Sequence, residues 1–463
     1  MDNAPEKISA FEKRIKRQVI GKPHRFLAVV PLGFEQTFID ELFSIEKNAE
    51  SFGIKITGDG KVEFTAKLVE SWKIAAYSRI ANRIQMHIAD FKAENFRDLE
   101  RKAAEVPWEL FFDERRKTKD ERHVHIHVTC KHSRLYHSDA VAERLYKVIE
   151  GGSLPLASAK ASAAPTPRGS APNTPRHPDE SQDQLPSPGQ ALFVTLIDDR
   201  CTIWLDLAGE ELYKRGHERF VNDAPLKETI AAAMLFESTK IADAPVALFD
   251  LMAGSGTFSL EAAYAANRLI PGVCRDFALK HQPAFKEPTW RFILDERRGS
   301  AGSPTEARDE RVVKIVTSDI SEKAVSIIRH NVESAPLPAG TIDPQVRDFF
   351  SYTAKEIADA CPGETSPVIL LNPPYGKRLD VDAPALYKRL GRRLAELARA
   401  LDSLGKKLTV GILAPRDIPA SKYTCTANLL RECPSLDPAQ NPNVKFIVTS
   451  HGGLTLNAIF ATI

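Results

Sequence analysis

The second half of the chain repeats a pattern of short apolar runs, each followed by helical periodicity. Strand–helix alternation is typical of a mostly parallel, doubly wound sheet, and an apolar pair at the end predicts a last strand that returns through a hairpin. The expected fold class is therefore α/β, with a Rossmann-like seven-stranded sheet. From Lys227 onward, strands are predicted to end near Asp250, Asp319, Asp348, Leu371 and Pro415, with a final pair at 444–448 and 454–461.

The first half has fewer and more scattered elements. Residues 25–120 are expected to form a small α+β unit, and Asp198-Asp199-Arg200 is typical of a tight hairpin turn between two strands. The predicted elements are a strand at 25–30, a helix at 34–43, a strand at 61–64, a strand at 123–129, a helix at 140–149, and strands at 191–197 and 201–206.

Two stretches interrupt these patterns. Residues 153–190 are dense in Ala, Pro and Ser and almost free of large apolar side chains. Such a segment cannot bury enough surface to offset its chain entropy, so we expect a disordered insertion within one domain. A second, charged insertion at 295–311 is expected to loop out.

Length and composition narrow the possible domain count and the class of protein. A chain of 463 residues is too long for one compact core and predicts two or three domains. No apolar run approaches a membrane span, and the N-terminus is polar rather than signal-like. The six cysteines are scattered without a CxxC pair, which favours reduced thiols in a cytoplasmic protein over disulfides or zinc.

The net charge of +2 does not by itself indicate a nucleic-acid partner. Local clusters of positive charge are more informative. Residues 1–25 carry seven Lys/Arg against three acids, and residues 376–407 carry nine against four. Each stretch is either a face that neutralises phosphates or a solvated helix surface, and the sequence leaves both interpretations open.

The first informative motif spans residues 249–258, FDLMAGSGTF. It follows an apolar strand and opens a helical pattern, so Gly254 and Gly256 lie in a strand–turn–helix connection. Glycine lets the backbone approach a ligand closely there, and open α/β sheets bind nucleotide-like ligands at such turns. A tight structural connection is the alternative for a lone GxG.

Acids at three strand ends strengthen the cofactor interpretation. Asp250 can meet an ammonium group, Asp319 can bind ribose hydroxyls, and Asp348 can accept from an adenine amino group beside the aromatic Phe349. No GxxxxGK[ST] loop for a triphosphate is present. The pattern predicts a positively charged nucleoside, and S-adenosylmethionine fits; the competing interpretation is that each aspartate only caps a helix.

The second motif, Asn372-Pro373-Pro374-Tyr375, ends the apolar run 368–371. The prolines fix the backbone, so the Asn372 side-chain carbonyl and the Pro373 carbonyl can accept from one exocyclic NH2 group. Tyr375 offers a face on which a flipped base can stack. Alignment and desolvation of this amine would then supply most of the acceleration of a group transfer to its nitrogen, without an acidic general base.

Together with further runs, these motifs resemble the bacterial THUMP-domain class I RNA methyltransferases that methylate the N2 amine of guanine, in particular the first half of the fused 23S rRNA enzyme. The resemblance covers about 26–463. The other runs that carry it are LAVVPLGFE at 27–35, VTCKHSRLYH at 128–137, YKRGH at 213–217 and APLKET at 224–229.

The resemblance implies a division of roles. The base clamp would be Asn372, Pro373, Pro374 and Tyr375. The Pro225-Leu226 turn would close over the methionine end of the cofactor. Many relatives read DPFCGSG where this chain has DLMAGSG, and this departure concerns loop rigidity more than binding. The implied cofactor contacts are Asp250, Ala253, Gly254, Ser255, Gly256, Asp319, Ile320, Asp348, Phe349, Pro225 and Leu226.

The resemblance also implies how the domains and the RNA contacts are arranged. A hydroxyl and two basic side chains, Ser133, Lys131 and Arg134, precede a predicted helix and could bind RNA phosphate, with a capped helix as the alternative. The implied division is a basic N-terminal extension at 1–24, a ferredoxin-like segment at 25–70, a THUMP domain at 71–210 with its insertion at 153–190, and a methyltransferase domain at 211–463.

His123, His125 and His127 alternate on one strand face, but no nearby Cys or acid completes a metal site, so no metal is expected.

The expected substrate is RNA, either large-subunit rRNA or tRNA, and the chain could be a monomer or a dimer. NPPY also occurs in DNA adenine and protein glutamine methyltransferases, which would not need an RNA-binding first half. A hypothesis of another class is a non-catalytic RNA-binding assembly factor with a decayed transferase domain.

Overall fold

A computed structural model describes residues 9–112, 124–151, 190–221, 225–299, 311–375, 382–417 and 424–463. The chain forms two compact units. The first contains residues 1–19, 86–209 and 277–285, and the second contains residues 20–85, 210–276 and 286–463.

Twelve α-helices and fourteen strands are defined within these described ranges. The helices are α1 Ala10–Ile15, α2 Glu35–Ile45, α3 Leu68–Tyr77, α4 Phe96–Ala104, α5 Ser138–Ile149, α6 Glu228–Ala242, α7 Thr257–Ala266, α8 Glu287–Gly299, α9 Glu322–Ser334, α10 Ala354–Asp359, α11 Ala383–Ser403 and α12 Cys425–Glu432. The strands are β1 Pro23–Val29, β2 Lys55–Gly58, β3 Lys61–Lys67, β4 Arg83–Lys92, β5 Val124–Lys131, β6 Gln190–Ile197, β7 Arg200–Asp206, β8 Val246–Asp250, β9 Val312–Asp319, β10 Pro344–Val346, β11 Ser366–Leu371, β12 Thr409–Pro415, β13 Lys445–His451 and β14 Leu454–Thr462.

The larger unit is built on a seven-stranded sheet in the order β10-β9-β8-β11-β12-β14-β13. The first five strands are parallel, and β14 runs antiparallel to both β12 and β13. This confirms the predicted doubly wound sheet with a returning hairpin. The central strands are apolar on both faces, and every residue of β8 and β12 is buried, as parallel strands require when both faces are covered.

Successive side chains of β11 point to opposite faces of the sheet and meet different helices. Ile369 and Leu371 belong to a core that includes residues of α10, α11 and α12. Leu370 lies on the other face beside Ser238 of α6, and both side chains occupy space that a Cβ atom on Gly411 of β12 would need. The sheet is therefore covered on both faces, which leaves the ends of its strands as the accessible edge.

The N-terminal strands of the larger unit form an antiparallel group in the order β2-β3-β1, with Phe26 opposite Phe64 and their rings 5.6 Å apart. Buried polar contacts fasten this group to the rest of the unit. Glu237 of α6 accepts a hydrogen bond from Thr37 at 2.6 Å and pairs with Lys445 of β13 at 2.7 Å. Residues 20–85 thus belong to the same compact unit as the large sheet, and the division into a ferredoxin-like segment at 25–70 and a THUMP domain at 71–210 stays a prediction.

The smaller unit contains a second group of strands in which β6 pairs antiparallel with β7 and parallel with β5. The turn between β6 and β7 is tight, with φ of +49° at Asp198 and +61° at Asp199, as expected for a two-residue hairpin loop. Helices α4 and α5 cover the strands through Leu99 and Leu145. The predicted strands and the turn of this region are confirmed.

Several predicted features lie wholly or partly outside the described residues. Residues 153–189 of the first insertion lie outside them, as do His123 and residues 1–8. The second insertion was predicted to loop out from residue 295, but helix α8 continues to Gly299. The run Asp295-Glu296-Arg297-Arg298 is made of residues compatible with a helix and extends the preceding amphipathic turn, which explains the difference. Residues 300–310 lie outside the described part.

All six cysteines carry free thiols. Among the described residues, no helix combines the length and apolarity that crossing a membrane requires.

Gly391 tests the packing of the large unit. A Cβ atom at this position of α11 would lie 2.5 Å from the Leu429 carbonyl oxygen of α12. Gly391→Ala should therefore destabilise the protein by about 1–3 kcal/mol, although alanine favours an isolated helix by about 1 kcal/mol over glycine. Thermal unfolding would show a lower midpoint; an unchanged or higher midpoint would contradict the close contact.

Candidate functional site

The two sequence motifs begin side by side in the large sheet. Strand β11 pairs in parallel with β8, and the register sets Ile369 beside Phe249. Neighbouring strands lie about 4.8 Å apart, so the loops that follow Asp250 and Leu371 leave the same edge at adjacent points. The carboxyl edge of a doubly wound sheet is where such folds bind ligands.

The glycine loop connects β8 to α7 and has the backbone that only glycine adopts easily. Gly254 has φ of +57°, and Gly256, the residue before α7, has φ of +78°. The surroundings of the two differ. A Cβ atom at Gly256 would lie 3.1 Å from the Ile328 side chain, whereas one at Gly254 would meet nothing within 4 Å. Gly254 therefore borders open space at the sheet edge, where a ligand can approach the backbone.

Asp319 ties the end of β9 to the glycine loop. Its Oδ2 accepts a hydrogen bond from the Gly254 amide at 2.9 Å, and its Oδ1 accepts from the Ser321 amide at 2.9 Å. The helix cap of α9 is Ser321, whose hydroxyl accepts from Ala324, so Asp319 is not merely a cap. The adjacent Ile320 is 70% exposed, an apolar side chain left uncovered at this edge.

Asp250 is almost fully buried, with 1% of its surface exposed. Its Oδ2 accepts from the Ser259 amide at 3.1 Å and the Ser259 hydroxyl at 2.7 Å, while its buried Oδ1 has no hydrogen-bond partner in the described part of the chain. Burial raises the pKa of Asp250 to about 7, despite the Ser259 hydrogen bonds that lower it, and the negative charge of Asp319 adds to the rise. A cation placed at Oδ1 would stabilise the ionised form.

The third acid has a local partner. Asp348 Oδ1 accepts from the Phe350 amide at 3.0 Å and caps the 3₁₀ helix Phe349–Ser351. The sequence assigned Phe349 to the adenine site, but the structure buries this ring in the core with 1% exposed. The neighbouring Phe350 ring is half-buried at the margin of the same core, and the cofactor contact predicted for Phe349 stays a prediction.

The acceptor loop combines a buried amide oxygen with a rigid backbone. Asn372 is half-buried, and its Oδ1 has no hydrogen-bond partner among the described residues. Pro373 is buried and Tyr375 is half-buried, and burial raises the pKa of the Tyr375 hydroxyl above its usual value, so Tyr375 stays neutral. A buried acceptor left unpaired is unusual in folded proteins, and a donor group on a ligand could satisfy it.

The Pro225-Leu226 turn follows three residues that lie outside the described part. The Pro225 carbonyl oxygen lies 2.9 Å from Nε2 of His451, the last residue of β13, and Leu226 is buried with 5% exposed. The turn is therefore held by the far strand of the sheet as well as by its own helix, α6.

Two residues that sequence reasoning missed join the site together. The Asn331 amide on α9, 1% exposed, accepts from the Phe220 amide at 2.8 Å and donates to the carbonyls of Phe220 and Ser255 at 2.9 and 3.1 Å. The Arg219 guanidinium donates to the Thr257 hydroxyl at 2.6 Å and pairs with Glu228. Nothing in the local pattern marks Asn331; Arg219 follows the YKRGH run by two residues.

The predicted RNA contacts lie in the smaller unit, at the end of β5. The Ser133 hydroxyl donates to the Lys131 carbonyl and accepts from the Asp199 amide, both at 3.0 Å, and Arg134 pairs with Glu94 and Asp199. Helix α5 begins four residues after Arg134. Ser133 and Arg134 thus fix the β6–β7 turn, and their contact with phosphate stays a prediction.

The strand face of alternating histidines packs partly against a neighbour. The His127 ring stacks on Phe193 of β6 with centroids 4.9 Å apart. Within the described ranges, no group of three or more His, Cys, Asp or Glu side chains is arranged to hold a metal ion.

Comparison with known proteins places this site in a recognised group. Residues 215–407 match the family described as "RMKL-like, methyltransferase domain". A ribosomal RNA large subunit methyltransferase K/L of Methylococcus capsulatus is 30% identical over 419 residues, which cover 88% of this chain and 50% of that protein. A putative RNA methyltransferase of Synechocystis sp. is 26% identical over 377 residues, covering 81% of this chain and 86% of that protein. The chain spans about half the length of the K/L relatives that it matches.

The fold is shared with solved structures. A putative methyltransferase complexed with SAH superposes with a TM-score of 0.67 at 21% identity, over 95% of this chain and 98% of that one. The larger unit therefore has the fold of a class I methyltransferase domain. Within this fold, residues 215–407 are the part of the chain that resembles the RMKL-like methyltransferase domains.

Asp250 gives a prediction about pH. An acid whose pKa is raised from 3.8 to about 7 on folding makes the folded state less stable as pH rises through that interval, because only the unfolded chain releases the proton there. Asp250→Asn keeps an oxygen for Ser259 and should raise the thermal midpoint above that of the unaltered protein at pH 8. The corresponding gain in the free energy of unfolding is at most a few kcal/mol. The difference should shrink toward pH 4; a difference independent of pH would contradict the raised pKa.

Proposed function

We propose that this chain transfers a methyl group from S-adenosylmethionine to the exocyclic N2 amine of a guanine in structured RNA, with large-subunit rRNA as the substrate. The K/L relatives are named for that RNA, and the methyltransferase domain lies in the part of the chain that matches them. The observation that carries the proposal is the unpaired, buried Asn372 Oδ1 beside the glycine loop.

An unpaired carbonyl oxygen is suited to an NH2 donor. Leaving a buried acceptor unsatisfied costs about 1–3 kcal/mol, and an incoming amine removes that penalty. With the Pro373 carbonyl as a second acceptor, both N–H groups are held and the nitrogen lone pair is directed along a fixed line. The neutral Tyr375 ring would stack on the extruded base, a contact worth about 1–3 kcal/mol in other systems.

The residues at the glycine loop fit the methyl donor. Gly254 leaves open space, Asp319 lies within reach of a ribose bound there, and Asp250 has a free buried oxygen for an ammonium group. When bound, S-adenosylmethionine supplies a methyl group activated by the sulfonium. Asn372 and Pro373 then orient the attacking amine, and the buried walls exclude water from the reaction.

The smaller unit is proposed as the THUMP RNA-binding region, with Lys131, Ser133 and Arg134 as candidate phosphate contacts. Lys131 and Arg134 are exposed at and just after the end of β5, which leaves them accessible to an RNA phosphate. We retain residues 211–463 as the proposed methyltransferase domain. Residues 20–85 are proposed as a support for this domain, given the Thr37 hydrogen bond to Glu237 of α6 and the close approach of Gly33 to Val448 of β13.

The direct test is Asn372→Ala. The variant should lose methylation by at least about 100-fold, because the amine is no longer aligned, with little change in affinity for RNA or cofactor. Mass spectrometry of 23S rRNA and tRNA from cells that carry only the variant would show the loss of one N2-methylguanosine. Loss of the mark from tRNA rather than rRNA would reassign the substrate, and full retention would refute the role of Asn372.

The two glycines separate cofactor binding from stability. Both substitutions, Gly254→Ala and Gly256→Ala, strain a backbone with positive φ by about 1–2 kcal/mol. Only the Gly254 variant adds a methyl group to the proposed cofactor space, and only the Gly256 variant crowds Ile328. Calorimetry should show the larger loss of S-adenosylmethionine affinity for Gly254→Ala and the larger fall in thermal midpoint for Gly256→Ala. If the unaltered chain fails to bind millimolar cofactor, a non-catalytic assembly factor is favoured instead.

A further inference from the structure

Helix α11 follows the acceptor loop and carries four cations within six residues: Lys388, Arg389, Arg392 and Arg393. Charge counting along the sequence could not separate a phosphate-binding face from a helix whose charges are satisfied within the protein. The contacts of the individual side chains make that distinction.

Three of these four cations have acidic partners. Lys388 and Arg392 converge on Glu432 of α12, at 3.8 and 3.3 Å, and Arg393 pairs with Glu396 at 3.1 Å. Arg389 forms no ion pair or hydrogen bond with any described residue. Its guanidinium lies over an aromatic ring instead.

That contact holds the guanidinium in a defined orientation. The Arg389 Cζ atom lies 4.1 Å from the centroid of the Phe350 ring. Stacking on a ring fixes the plane of the guanidinium and leaves its N–H groups at the edges, directed away from the ring. A planar fork with free donors matches the oxygens of a phosphate group, which arginine often binds bidentately.

The location suits a nucleic-acid strand that delivers a base to Asn372. Phe350 follows Asp348 just beyond the end of β10, at the carboxyl edge of the sheet. Arg389 lies two residues after Tyr387, whose hydroxyl donates to the Leu413 carbonyl of β12 at 2.8 Å, one strand away from the acceptor loop. Arg389 is exposed, and Tyr387 is buried beneath this edge.

We infer that Arg389, held on the Phe350 ring, is a phosphate contact for the RNA strand that carries the target base. The inference rests on the proposed function, since it assumes an RNA substrate at this edge. It adds a contact within the methyltransferase domain to those proposed for the smaller unit, and it assigns the neighbouring Lys388 and Arg392 to stability of the α11–α12 pair.

The test compares two arginines of the same helix in the full-length chain. Binding of an unmethylated 23S rRNA transcript would be measured by filter retention from 50 to 300 mM KCl for Arg389→Ala and Arg392→Ala. Each change removes one positive charge, but Arg392 is paired with Glu432. We expect Arg389→Ala to weaken binding about five- to tenfold and to reduce the salt slope by about 0.7–0.9, with Arg392→Ala within about twofold of the unaltered chain.

A further variant and a second measurement separate the possible causes of weaker RNA binding. Arg389→Lys should recover most of the salt slope, because the charge remains, but less of the affinity, because the fork is lost. Calorimetric affinity for S-adenosylmethionine should not change in any of these variants. Equal RNA binding by the two alanine variants would overturn the inference alone, as would a loss confined to cofactor affinity. Failure of the unaltered chain to bind the transcript would overturn the proposed function with it.

Discussion

The parallel pairing of β8 with β11 is the constraint on which the site depends. Two segments about 120 residues apart in sequence become neighbours because one register sets Ile369 beside Phe249. A shift of this register by one residue would turn every side chain of β11 to the opposite face, so Ile369 and Leu371 would leave the core that they share with α10, α11 and α12. The burial of both faces therefore fixes where the acceptor loop and the glycine loop leave the sheet.

The loops are held by polar contacts that connect distant elements. Asp319 bonds to Gly254, Asn331 joins Ser255 to Phe220, and Arg219 reaches Thr257. Beneath them, Glu261 of α7 forms buried ion pairs with Arg79 and Arg215 at 3.4 and 2.9 Å. Removing one partner of such a buried pair is strongly destabilising, because it leaves a charge without compensation. The helix that follows the glycine loop is consequently fixed at both its start and its middle.

The sequence predicted the sheet and the two loops because the signals for them are local. Continuous apolar runs such as 246–249 and 368–371 end at acids or at NPPY, and these strand ends are confirmed. Residues whose roles arise from long-range contact were not predictable. Asn331 lies in an ordinary amphipathic helix, the adjacent Phe349 and Phe350 differ in burial, and the partner of Arg134 is 65 residues away. The packing of residues 20–85 against α6 and β13 depends on contacts that span 200 residues or more, Thr37 with Glu237 and Gly33 with Val448.

The route of the chain between its two units has a consequence for biosynthesis. Residues 20–85 are made first, yet Gly33 lies against the Val448 carbonyl, 415 positions later. At about 5–20 residues per second, the early strands emerge from the ribosome tens of seconds before the hairpin that covers them. During that interval the part of their surface that contacts β13 has no native partner, so a nascent chain should depend on chaperone protection until translation reaches its final strands.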